Sequence, residues 1–137
     1  MSKMKRYGQW ALVTGGTSGI GAAIVQQLAQ DGLNVVMVAR NESALASQAQ
    51  TLQQSTGVQV RTVSADLMSP QGLDQVIAAT QDLAIDVLVP CAAIETLGLF
   101  VDSSPERHQQ MVQMNVIAPM QLARHFSQGM AQRQRGA

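Results

Sequence analysis

The sequence predicts an α/β fold: a doubly wound parallel sheet with helices on both of its faces. Three observations predict it. Short apolar runs alternate with longer stretches whose apolar residues fall at helical spacing. The runs at 33–39 and 85–89 are apolar at nearly every position, as buried parallel strands are. Glycines, prolines and N-cap residues punctuate the junctions. Strand and helix in regular succession require right-handed crossovers between parallel strands.

Each element follows from its own residues. Residues 10–14, Trp-Ala-Leu-Val-Thr, are too short a run for a helix and stop at Gly15-Gly16, so they read as the first strand. From 19 to 31, Ile20, Ala23, Ile24 and Leu28 mark the inner face of a helix, and Gly32 stops it. Residues 33–39 are rich in β-branched side chains and give the second strand. Asn41 caps a helix to about Ser55 with Leu45, Ala49 and Leu52 on one face, Gly57 follows it, and 58–63 form the third strand. Ser69-Pro70 joins an N-cap to a proline at the first helical position, opening a helix to about Leu83 with Leu73, Val76 and Ile77 inward. Residues 85–89 are the fourth strand, stopped by Pro90. A loop over 91–102 leads to Ser104-Pro105-Glu106, which opens a long helix through Met111, Met114, Val116 and Leu122. Pro119 is expected to kink it, and a cationic last turn with Gly136 as the stop is expected to end it.

Composition narrows the function classes. With 46% hydrophobic and 13% charged residues the chain collapses to a core, and its 137 residues suffice for one domain, taken as 7–137 behind an N-terminal tail of 1–6. Nine basic and nine acidic side chains balance to +0, which leaves no electrostatic footprint for nucleic acid or an anionic membrane. The single Cys91 forms no internal disulfide, no zinc-ligand spacing occurs, and no apolar run approaches about 18 residues. With no leader-like cleavage pattern behind the basic start, the chain reads as cytoplasmic. His108 and His125 read as surface or interface histidines, and the eight methionines as core or interface fillers.

The chemistry centres on Thr14-Gly15-Gly16-Thr17-Ser18-Gly19-Ile20-Gly21, between the first strand and the first helix. Glycines there let the backbone turn sharply and approach a pyrophosphate, whose charge sits on the unpaired N–H groups and positive dipole end of the helix. Gly15, Thr17, Ser18, Gly19, Ile20 and Gly21 are therefore candidate cofactor-binding residues; the competing reading is a plain tight turn. An acidic residue at the end of the second strand would hold a ribose 2′-hydroxyl. That position is Ala39, followed by Arg40 and Asn41, and a guanidinium pairs with a 2′-phosphate, so NADP is favoured over NAD unless Arg40 is merely solvated.

The spacing Thr-Gly-x-x-x-Gly-Ile-Gly resembles the signature of the short-chain dehydrogenase/reductase family, classical type. The resemblance covers essentially the whole chain, including 7–16, Ala65-Asp66-Leu67 and Asn115-Val116. It implies a Rossmann-like sheet of order 3-2-1-4-5-6, of which this chain would hold 3-2-1-4, and hydride transfer between NAD(P) and a carbonyl or alcohol substrate. It also implies that Asp66 bonds the adenine amino group, that Leu67 lines the adenine pocket, that Val116 belongs to the cofactor site, and that Asn115 is the tetrad asparagine supporting a helix bend and a proton relay. Asp66 as a turn carboxylate and Asn115 as an amide near the Pro119 kink compete with those roles.

Two departures stand out. The family's Asn-Asn-Ala-Gly after the fourth strand is Pro90-Cys91-Ala92-Ala93 here, so two bracing amides and a glycine are missing, although Ala92 and Ala93 remain cofactor-site candidates. Cys91 reads as a small filler rather than a reactive thiol. The family's acid is a tyrosine with a lysine four positions on, beside a polarising serine. This chain has one tyrosine, Tyr7, its lysines are Lys3 and Lys5, and no Tyr-x-x-x-Lys occurs. The expectation is a dinucleotide-binding portion that ends before the catalytic Ser and Tyr-x-x-x-Lys and is inactive alone, with the fourth strand left as an unpaired edge. The competing expectation is a non-catalytic nucleotide-binding or protein-interaction module. In either case a homo-oligomer through the long helix is expected.

Overall fold

The computed structural model describes residues 4–137; residues 1–3, part of the expected tail, lie outside the described residues. Strands β1 (Trp10–Thr14), β2 (Asn34–Ala39), β3 (Val60–Ser64) and β4 (Ile85–Pro90) form one sheet in the order β3-β2-β1-β4, and each pairing is parallel. Helices α1 (Gly19–Gln30), α2 (Glu42–Thr56), α3 (Pro70–Ala79), α4 (Pro105–Val112) and α5 (Ala118–Arg133) cover its faces. This is the Rossmann-like, doubly wound arrangement that the sequence predicts.

Alternation along the strands sorts the core into two layers. Ala11, Val13, Val35 and Met37 face Val25 and Leu28 of α1 and Leu45 and Leu52 of α2. Leu12, Val36 and Val38 face Leu73 and Val76 of α3 and Leu122 and Phe126 of α5. Helix starts follow local chemistry: the side chains of Asn41, Ser69 and Ser104 accept from the N–H groups of Ala44, Gly72 and Arg107 at 3.0, 3.2 and 3.1 Å. Gly57, at φ 74°, ends α2 in the left-handed region. At the far edge, Arg61 of β3 grips both oxygens of Asp82 at 2.6 and 2.8 Å, and this hydrogen bonding holds the Asp82 carboxyl below the ordinary carboxylate range.

Five local expectations are corrected. Helix α1 buries Gly21, Val25, Leu28 and Ala29, while Ile20 is 75% exposed and Ala23 faces water, because the close approach of Gly21 to the preceding loop fixes the rotation of the helix. Helix α3 ends at Ala79 rather than near Leu83: the Thr80 hydroxyl donates to the Val76 carbonyl at 2.8 Å, and the chain turns through Leu83 N–H to Thr80 O. The long helix is interrupted rather than simply kinked. Gln113–Ile117 form a π-helical turn, and Ala118 N–H bonds the carbonyl of Gln113. Pro119 lacks the N–H that would meet the Asn115 carbonyl, and a π turn accommodates that gap.

The end of α5 differs as well. Gln134, at φ 52°, makes the left-handed reversal in place of Gly136, and Arg135 N–H bonds the Met130 carbonyl at 3.1 Å. The reversal is held from outside the helix. Ala137 N–H donates to Asp86 O at 2.8 Å and Leu88 N–H donates to Ala137 O at 2.9 Å, the pattern of a parallel bridge. The β4 edge, expected bare, is thus occupied at one position by the chain itself. Among the described residues, no helix is long and apolar enough to cross a membrane.

Candidate functional site

The chain runs outward from β1 through β2 to β3 and then returns to place β4 on the other side of β1. The connections after β1 and β4 therefore lead to opposite faces of the sheet, and such switch points at the carboxyl ends of parallel strands open ligand crevices. A cleft of about 1110 Å³ lies there.

The glycine loop forms its floor. Gly15 N–H bonds Val38 O at 2.9 Å, tying the loop to the end of β2. Gly15 has φ 68°, and a Cβ on it would lie 2.9 Å from the main chain of Ala92, so the loops after β1 and β4 touch backbone to backbone. On Gly21 a Cβ would fall 2.0 Å from the Gly15 carbonyl oxygen. Helix α1 can start this close to the loop only because residue 21 has no side chain. Ser18 occupies the N-cap position but offers no side-chain cap, and the first turn of α1 carries no acidic residue. The opening N–H groups and the dipole of a 12-residue helix are thus left to an external acceptor, as an anion requires.

Gly15, Thr17, Ser18, Gly19, Ile20 and Gly21 all line the cleft. So do Arg40 and Asn41 at the end of β2, Leu67 after β3, and Ala92 and Ala93 after β4. The Arg40 side chain is exposed, and Ser64 Oγ donates to its carbonyl at 3.0 Å. The Asn41 side chain is engaged in capping α2. Ala92 N–H donates to the buried Thr14 hydroxyl at 3.1 Å, so a threonine at the end of β1 braces the loop that the Pro90-Cys91-Ala92-Ala93 sequence leaves without amides.

Three sequence-derived candidates do not line the cleft. Asp66 is exposed between the lining residues Ala65 and Leu67, and its Oδ1 accepts from Met68 N–H at 3.0 Å in a turn. Asn115 lies in the π turn, where Oδ1 accepts from Ile94 N–H at 3.0 Å and Nδ2 donates to Ile94 O at 2.7 Å. Its amide therefore clamps the post-β4 loop to the helix instead of facing the cleft. Val116, 55% exposed, faces outward.

Sequence reasoning also missed participants. Gln48 Nε2 donates to Thr17 O at 2.8 Å, and Met114 and Ile94 contribute to the wall, beside Glu95 of a loop from which the sequence already suggested a pocket wall. His108 stacks on Phe100 with centroids 4.3 Å apart and planes 4° apart, while Arg107 donates to Glu95 O at 3.2 Å, so α4 holds the long loop. No spacing in the sequence marks these pairs, because each joins segments far apart in the chain or on opposite sides of a loop. A threonine directly before the glycines was the one legible signal, for Thr14.

Comparison with known proteins agrees with this geometry. Residues 9–137 match the short chain dehydrogenase family. The chain is 32% identical over 137 residues to a 7beta-hydroxysteroid dehydrogenase of Mediterraneibacter gnavus, covering all of this chain and 52% of that protein. A solved structure from work on 7beta-hydroxysteroid dehydrogenase stereoselectivity superposes with TM-score 0.94 at 32% identity, over 99% of this chain and 52% of that one. L-sorbose reductase from Gluconobacter frateurii, solved with NADPH and L-sorbose, superposes with TM-score 0.89 at 32% identity, over 97% and 51%. The chain spans about half the length of the relatives it matches. On the match of 129 of its residues, and on the parallel sheet and glycine loop they build, this chain belongs to the short-chain dehydrogenase family.

Proposed function

We propose that residues 7–137 are the dinucleotide-binding part of an NADP(H)-preferring short-chain dehydrogenase acting between an alcohol and a carbonyl. The observation that carries the reading is the uncapped start of α1 above a glycine loop, facing a cleft that also reaches Arg40. When bound, the nicotinamide supplies or accepts the hydride. The chain's own residues hold it. The N–H groups at 19–21 serve the pyrophosphate, and Ala65 and Leu67 give the adenine ring an apolar wall. Arg40 serves a 2′-phosphate that Ala39, having no carboxylate, does not repel. The neighbour solved with NADPH supports the same cofactor.

Asn115 enters as a positioning residue: both ends of its amide hold Ile94, and through it the loop that walls the cleft. The 137 residues contain no Tyr-x-x-x-Lys, and Tyr7 precedes β1 at the opposite end of the sheet, so the reading assigns these residues cofactor binding and not proton transfer to substrate.

Titration of both cofactors onto Arg40→Ala tests the preference. NADPH binding is expected to weaken by about 1.5–3 kcal/mol, the range for a hydrogen bond to a charged group, and NADH binding to stay nearly constant. Equal losses would remove Arg40 from the 2′-phosphate site.

A second feature supports self-association. Val112, Val116 and Met120 recur every fourth residue along α4, the π turn and α5, and are 51%, 55% and 58% exposed. An apolar stripe of this kind suits the same stripe on a second copy about a two-fold axis. Sedimentation equilibrium is expected to show a dimer that Val116→Asp converts to monomer; a wild-type monomer at every concentration would exclude the interface.

A further inference from the structure

Gln48 does not line the cleft, yet it bonds the middle of the loop that forms its floor. Its Nε2 lies 2.8 Å from the carbonyl oxygen of Thr17, in a partly buried bond across 31 residues of sequence. A carbonyl accepts only, so the NH₂ end of the Gln48 amide must face it. Resting on the dinucleotide reading above, we propose that Gln48 is a positioning residue that holds the glycine loop in its phosphate-binding shape.

The loop has three other kinds of anchor, and none reaches Thr17. At its start, the N–H groups of Gly15 and Gly16 bond Val38 O at 2.9 and 3.5 Å. At its end, Ala22 N–H bonds Ser18 O at 3.2 Å and Gly21 packs against the Gly15 carbonyl. Between them the Thr17 carbonyl is held by Gln48, and the Ser18 hydroxyl makes no capping bond. Glycines flank this stretch at 15, 16 and 19, two of them at positive φ, and glycine adds the most backbone freedom of any residue. Without the tether the segment samples other shapes, and a phosphate must bear the ordering cost when it binds.

The tether also comes from a revealing place. Helix α2 starts directly after Arg40 and Asn41, so the helix that follows the cation at the ribose end also carries the brace on the phosphate loop. The core face of α2 is Leu45, Ala49 and Leu52, which Gln48 does not join. Its replacement therefore changes the loop without removing core packing.

The test uses the 137-residue chain with Gln48→Glu, close to isosteric but without the NH₂ donor, and Gln48→Leu as a second variant. Three results are expected together. Stability in urea stays near wild type, amide hydrogen exchange at Thr17 and Ser18 speeds up in the free chain, and NADPH and NADH affinities fall alike by about ten-fold. A loss shared by both cofactors separates this brace from Arg40, whose effect is confined to NADPH. Unchanged loop exchange, or faster exchange with unchanged affinity, overturns the proposal. A wild-type chain that binds neither cofactor while both variants loosen the loop refutes the dinucleotide reading, and the role of Gln48 falls with it.

Discussion

Gly21→Ala is expected to abolish measurable NADPH binding and to cost about 3 kcal/mol of stability. A methyl at residue 21 would sit 2.0 Å from the Gly15 carbonyl oxygen and 2.8 Å from its carbon. Both atoms are main chain, and neither side can move freely: Gly15 is bonded to Val38 and in contact with Ala92, while α1 is packed through Val25 and Leu28. Relief requires α1 to lift away from the loop, which carries its first N–H groups out of the cleft and opens core contacts along the helix. Urea unfolding and isothermal titration on the same protein check the two effects. An alanine variant that binds NADPH like wild type would show that the close approach has no part in holding the cofactor. Gly19→Ala provides a contrast. Its Cβ would meet nothing within 4 Å, so only the positive φ of 52° opposes it, at a cost of roughly 1 kcal/mol.

Asp86→Ala is expected to cost about 3 kcal/mol and to leave cofactor affinity of the folded chain unchanged. Asp86 is an ionisable residue buried completely in the described core, on a strand otherwise apolar. Its Oδ1 accepts from Arg133 Nε at 3.0 Å, and its Oδ2 accepts from Gln9 N–H at 3.1 Å and from Arg135 at 3.4 Å. One carboxylate thus gathers the approach to β1, the start of β4 and the end of α5. Gly8 lies so close that a Cβ on it would overlap the carboxylate, which leaves no room for a larger residue beside it. Removing the acid strands the Gln9 N–H and two arginines. Because Arg133 and Arg135 are 32% and 47% exposed, they can turn toward water, and the cost stays at the low end for breaking a buried pair. Asp86→Asn keeps the size and one acceptor and should lose less. The site lies at the opposite ends of the strands from the cleft, so a fall in NADPH affinity matching the fall in stability would contradict this division of labour.

The parts of the molecule legible in the sequence share a physical property: they depend on residues near one another in the chain. The caps at Asn41, Ser69 and Ser104, the stop at Gly57 and the glycine loop after β1 each follow from a backbone requirement that a few adjacent residues meet. The face of α2 could be read from Leu45, Ala49 and Leu52 because its periodicity is clean. The face of α1 could not. Ile20 is apolar and in phase with Ala23 and Ile24, and only the contact between Gly21 and Gly15 shows that the helix is turned to bury Val25 instead.

Asn115 and Gln48 make the same point within the site. Both are polar residues on helices, where an amide is usually solvated, and each found its partner on another segment: Ile94 for one, Thr17 for the other.

By itself, the sequence determined the alternation of strands and helices, the glycine bend, and the absence of a carboxylate at Ala39 beside Arg40, since these are properties of local backbone freedom and residue type. Tertiary structure alone decided which way α1 faces and how Arg133, Arg135 and Ala137 close on β4. Those outcomes depend on contacts between chain segments whose distance in sequence carries no periodic signal, and on sub-ångström clearances that appear only when the layers are packed.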